Sequence, residues 1–111
     1  MNNWLERLEK LEYHQQLLLK MVRPEGYEFD RLVIEKNLSR DEVEQFYKLC
    51  EELSKKREEQ KAEGFVFHTP LFREFQQRLH PRLSPEEVID ACIKQRLYVE
   101  LMTDFKRNIR E

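Results

Sequence analysis

At the amino end of the chain apolar residues recur at alternating steps of three and four: Met1, Trp4, Leu8, Leu11, Leu18 and Val22. These are the a and d places of a heptad, with polar Gln15 at one a place. The spacing predicts a helix over residues 2–22 with one apolar seam, widened by Leu5 and, near its carboxyl end, by Leu17, Leu19 and Met21, where it is expected to touch more than one neighbour. A Gln buried at an a place acts as a register device, and an assembly of copies has more use for one than a lone chain does. The seam therefore predicts a coiled-coil-like homo-oligomer, dimer or trimer, through Trp4, Leu8, Leu11, Gln15, Leu18 and Val22. Trp4 points the same way, because so large an aromatic is oddly placed on a fraying end unless something covers it.

Pro24 disfavours helical geometry in Arg23, and Gly26 permits a reversal, so the first helix stops there. A short second helix over residues 27–36 carries Tyr27, Phe29, Leu32, Val33 and Ile34, apolar on most sides, and is expected to be central. Asn37 suits the left-handed conformation that closes it. Leu38-Ser39-Arg40-Asp41-Glu42-Val43 then opens a third helix with a capping box (Ser39 with Glu42) and a hydrophobic staple (Leu38 with Val43). That helix, over residues 40–63, is the longest, with a stripe of Val43, Phe46, Tyr47, Cys50 and Leu53. Beyond Leu53 the stripe ends. Residues 54–61 offer no apolar face and are predicted to project into solvent, held by pairs such as Glu51 with Lys55 and Glu52 with Lys56.

Gly64 is placed to cap this helix, with Phe65 folding back on its last turn. Phe65, Val66 and Phe67 read as a buried connector. Thr69 is expected to cap a fourth helix with Pro70 in its first turn, Leu71, Phe72, Phe75 and Leu79 inside, and Pro81 as its stop. Leu83-Ser84-Pro85-Glu86-Glu87-Val88 repeats the capping-box design, and a fifth helix follows with Val88, Ile89, Ala91, Cys92 and Ile93 as its core face. A break near Gln95 and Arg96 would set off a sixth helix bearing Leu97, Tyr98, Leu101, Met102, Phe105 and Ile109; one continuous helix is the alternative. The two capping boxes imply no duplication, because the sequences around them diverge. The whole reads as an all-α multihelical bundle of five to six helices, a single domain over residues 1–111.

Composition narrows the function classes. Two glycines in 111 residues leave few positions for the positive-φ turns of a many-stranded sheet. Twenty basic against 22 acidic residues, a formal charge of −2, lack the excess that would neutralise many phosphates. The longest apolar run, Leu17 to Leu19, is far below the roughly 20 residues of a membrane span. The amino end is amphipathic and mixed in charge, unlike a secretory leader, and Cys50 and Cys92 read as isolated reduced thiols. These features predict a cytoplasmic protein.

Candidate chemistry is sparse. Cys50, Cys92, His14, His68 and His80 lie singly rather than in the paired short spacings of a zinc site. Nearly every Glu has a Lys or Arg within one turn, as solvated helix faces require, and there is no phosphate loop, nucleophile elbow or His-Glu-x-x-His pair. No catalytic residue, metal or cofactor is expected. The alternative to an interaction module is a small nucleic-acid-binding regulator using helices near residues 70–96, with Arg73, Arg78, His80 and Arg82, and with Lys106, Arg107 and Arg110 at the carboxyl end. A cation cluster at a helix carboxyl terminus has a simpler use, opposing the helix dipole.

Lys10-Leu11-Glu12-Tyr13-His14 leading into Leu17-Leu18-Leu19-Lys20, then Gln60-Lys61-Ala62-Glu63-Gly64-Phe65-Val66, and Leu97-Tyr98-Val99-Glu100-Leu101-Met102 resemble the YhaI-like family, small uncharacterised proteins of spore-forming Gram-positive bacteria. The resemblance covers nearly the whole chain. It implies a bacterial, cytoplasmic, multihelical and oligomeric protein, and brings no catalytic residues with it. Together with the seam it points to a structural or protein-interaction module whose protein partner is unidentified.

Overall fold

Six α-helices form among the residues that the computed structural model describes, which are 3–23, 25–64 and 69–110. They are α1 (Trp4–Met21), α2 (Glu28–Glu35), α3 (Arg40–Ala62), α4 (Thr69–Arg78), α5 (Pro85–Gln95) and α6 (Val99–Arg110). The expected connector Phe65-Val66-Phe67 lies outside the described residues, as do Met1, Pro24, His68 and the capping role of Thr69.

The helix ends follow local chemistry, with one exception. Asn37 (φ 55°) closes α2 in the left-handed conformation, while the Leu38 amide donates back to the Val33 carbonyl at 3.0 Å. At the start of α3 the Glu42 amide donates to Ser39 Oγ at 3.1 Å, and the Ser39 amide donates to Glu42 Oε1 at 2.8 Å, the reciprocal pair of a capping box. Arg96 (φ 64°) and Tyr98 (φ 48°) interrupt the last stretch, so α5 and α6 are separate helices. The exception is the second box. Ser84 makes no side-chain cap bond, and Glu87 reaches instead to Lys36 Nζ at 3.4 Å, joining the first turn of α5 to the end of α2.

The core forms around four phenylalanines, one each from α2, α3, α4 and α6. Phe29 stacks on Phe46 with ring centroids 5.0 Å apart, Phe46 meets Phe75 at 6.3 Å, and Phe75 meets Phe105 at 4.8 Å. All four are buried, with Leu53, Ile89, Leu101, Met102 and both cysteines around them. Helix α6 packs on α3, α4 and α5, whereas α2 packs chiefly on α5. The hub is thus α6 rather than α2, which buries Phe29 and Leu32 but leaves Tyr27 and Ile34 exposed.

The second half of α3 is mostly exposed, as its sequence suggested, but Ser54, Arg57 and Gln60 are half-buried and two of its cations are tied to other helices. Arg57 is mostly covered and binds the buried Asp104 of α6, with Glu100 at 3.1 Å. Lys56 pairs with Glu74 of α4 at 3.0 Å, and Arg78 of α4 pairs with Glu52 at 2.8 Å. These partners come from other helices, so the polar face that lacked an apolar stripe is held by ion pairs between helices rather than by its own turns.

A further junction lies where α2, α3 and the α4–α5 turn meet. Glu42 Oε2 accepts from His80 Nε2 at 2.5 Å, and His80 Nδ1 accepts from the Arg82 amide at 3.0 Å, which places the ring proton of the neutral imidazole on Nε2. Arg82 in turn donates to the carbonyls of Asn37 at 2.6 Å and Lys36 at 3.2 Å, closing the carboxyl end of α2.

Two predictions follow from these contacts. Ser39→Ala is expected to cost about 1 kcal/mol in denaturant unfolding, and Ser84→Ala, which loses no cap bond, no more than about 0.5 kcal/mol. The Ser39 amide together with His80 holds Glu42 below the usual carboxylate range, Arg78 does the same for Glu52, and Lys56 and Arg78 do so for Glu74. The unfolded chain therefore takes up these protons at higher pH than the native one. Their stabilisation is complete above the ordinary value of 4.5 and is lost as pH falls through the lowered values, so the urea midpoint should be level above that point and drop below it.

Candidate self-association surface

Helix α1 buries none of its residues. Trp4, Leu8, Leu11, Leu18 and Val22 of the predicted seam are between 56% and 66% exposed. Gln15, expected to be buried at its a place, is exposed in the single chain, because only an open cleft separates the seam from α2. Only Leu17 and Leu19 are half-buried. Helix α1 takes part in none of the closely packed helix pairs, and its carboxyl end faces α2 across a cleft.

The link to α2 is short and tied at both sides. Val22 is extended, Gly26 reverses the chain at φ 84°, and the Gly26 amide donates to Glu28 Oε1 at 2.9 Å. Arg31 reaches back to the Val22 carbonyl at 3.5 Å. Helix α1 consequently extends from the body of the protein, whose extents are 64 × 27 × 20 Å. Its radius of gyration of 17.2 Å compares with about 13 Å for a compact chain of this length.

A cleft runs between α1 and α2. Its inner part, about 250 Å³, is lined by Leu18, Leu19 and Val22 on one side and Tyr27, Asp30, Arg31 and Ile34 on the other. Its outer part, about 690 Å³, continues along Leu8, Leu11, Glu12 and Gln16 opposite Ile34, Glu35 and Asn37. Gln15, Leu19 and Ile34 border both. The surface thus includes Tyr27 and Ile34, 63% and 40% exposed, which sequence reasoning assigned to a central helix. Their spacing of i and i+7 sets them on one face of the α2 stretch, away from Phe29 and Leu32.

Other features that could carry chemistry are spent on structure. Burial pushes the Cys92 thiol up to about 12 and Cys50 higher still, so neither is a ready thiolate at neutral pH. Among the described residues no group of three or more His, Cys, Asp or Glu is placed to hold a metal ion. The exposed face of α5 carries Glu86, Glu87 and Asp90, two of them paired with Lys36 and Lys106, beside Lys94, a surface without the cation excess that phosphate binding needs. Of the cations considered for nucleic acid, Arg78, His80, Arg82 and Lys106 engage Glu52 and Glu74, Glu42, the α2 carbonyls and Asp90 respectively.

Fold and surface together define an all-α protein of six helices with a buried core and one extended helix bearing an exposed heptad seam. A family model described as "Protein of unknown function (DUF1878)" matches residues 1–110, and the chain belongs to that family. Among the described residues no helix is long and apolar enough to cross a membrane.

Cys50 and Cys92 should resist a thiol reagent such as dithiobis(nitrobenzoic acid) in the native protein and react within seconds once it is unfolded in guanidinium. Fast labelling of either in the folded state would contradict their burial.

Proposed function

We propose that the protein is a self-associating helical module that acts by binding other proteins rather than by catalysis, and that α1 is its assembly element. The observation that carries this reading is the exposure of a complete heptad seam on a folded chain. With Tyr27 and Ile34 the seam makes seven large apolar residues left in solvent on neighbouring faces of α1 and α2, the kind of exposed apolar surface that marks an interaction site. A second copy is the occupant the pattern fits, since a heptad seam is complementary to itself and Gln15 finds an amide partner in its own counterpart. A dimer or a trimer satisfies these terms.

The resemblance to the YhaI-like family supports a bacterial, cytoplasmic setting. A further protein partner would engage the assembled form. The nucleic-acid reading draws less support, because the cations near residues 70–96 are largely engaged by carboxylates and backbone carbonyls.

Sedimentation equilibrium at tens of micromolar tests the proposal. The wild-type chain is expected to sediment as a dimer or trimer. Trp4→Ala combined with Leu8→Ala should weaken association about 100-fold or more, with the cooperative unfolding of the body retained. A wild-type monomer at that concentration would discard the reading, and salt-sensitive binding of a random duplex would revive the nucleic-acid alternative.

A further inference from the structure

We infer that two copies meet through α1 in a parallel, in-register seam, with Arg7 of one copy opposite Glu12 of the next; this rests on the self-association reading above. The two flanks of the seam differ. On one flank Glu12 and Leu19 occupy e places and border the cleft shared with α2. On the other, Arg7, His14 and Met21 occupy g places and border neither part of that cleft. Helix α2 therefore stands across an open cleft from the e flank, where Glu12 is exposed, and does not face the g flank.

Orientation follows from charge. In a parallel pair the g residue of one helix lies beside the e residue five places on in its neighbour, which sets Arg7 beside Glu12 on both sides of the seam. An antiparallel pair that keeps the apolar places opposed matches e with e and g with g. Glu12 then faces its own copy at the centre, a like-charge contact, and Gln15 faces Leu11 in place of another amide. Only the parallel alignment gives Gln15 an amide across the seam and both charges an opposite neighbour. Glu12 has no ion-pair partner among the described residues, and Arg7 lies over the Trp4 ring at 5.4 Å, already on the rim of the seam.

Shape agrees with charge. Two heptads further on, the same rule passes the end of α1 and sets Met21 of one copy near the link and the start of α2 in the other. Tyr27 stands there, lining the inner part of the cleft. The cleft between α1 and α2 thus receives the g flank of the neighbouring helix, and Tyr27 and Ile34 become part of the interface rather than bystanders.

Charge exchange tests the orientation separately from association itself. Arg7→Glu and Glu12→Arg are each expected to weaken self-association about tenfold, each placing like charges on both sides of the seam, whereas an equimolar mixture of the two variants should associate as tightly as the wild type. Leu11→Cys should cross-link to itself under mild oxidation, since parallel copies place Leu11 opposite Leu11 while Cys50 and Cys92 stay buried. An Arg7→Glu variant that associates like the wild type, or a mixture no tighter than its components, overturns the pairing. Cross-linking of Leu11→Cys with Gln15→Cys in preference to Leu11→Cys with itself overturns the parallel alignment while leaving self-association intact. A monomeric wild type overturns the association reading, and this inference with it.

Discussion

Everything in the body of this protein is arranged around a row of four phenylalanine rings, and that row reaches only α2, α3, α4 and α6. Each ring comes from a different helix, so removing water from Phe29, Phe46, Phe75 and Phe105 requires those helices to converge. Helix α5 seals one side with Val88, Ile89 and Cys92. A core of this size is filled by the helices that contribute to it, and α1 contributes no buried side chain. The exclusion of α1 is thus a consequence of packing: its leucines have no hole left to enter in their own chain.

Polar contacts around that core serve to set helix against helix. Arg57 and Asp104 form a covered ion pair between α3 and α6, and Glu100 adds a second carboxylate from the solvent side. Buried charge is costly unless paired and hydrogen-bonded, and the pair fixes the relative register of the two helices in a way that leucines would not. The junction of Glu42, His80 and Arg82 does similar work at the opposite end of α3, joining a capping box to a turn and to the carbonyls that end α2. Both clusters orient the scaffold from which α1 extends.

The functional consequence is a division of labour between a self-sufficient body and an unsatisfied helix. A chain that leaves a heptad seam in water while its core is complete carries a standing free-energy gain for association, whose size depends on the apolar area covered. The link at Gly26 and the reach of Arg31 to Val22 hold α1 beside α2. Part of the surface proposed for assembly is therefore held in place in the single chain, which would lower the ordering cost of docking.

Local signals in the sequence determined the all-α class and most of the helix limits, leaving five or six helices open, because capping, left-handed closure and heptad spacing are decided by neighbours a few residues apart. The Ser39–Glu42 box, Asn37, the break at Arg96 and the seam of α1 are all of this kind. What depended on partners distant in the chain could not be read there. Glu87 left its expected cap for Lys36, Lys56 and Arg57 found their counterparts on α4 and α6, and Tyr27 and Ile34 turned outward beside α1. Charged side chains accept many partners at similar energies, and an apolar residue on a short helix can face either way. Only the close packing of the phenylalanine row selected among those arrangements, and with them which apolar face of the molecule is left exposed.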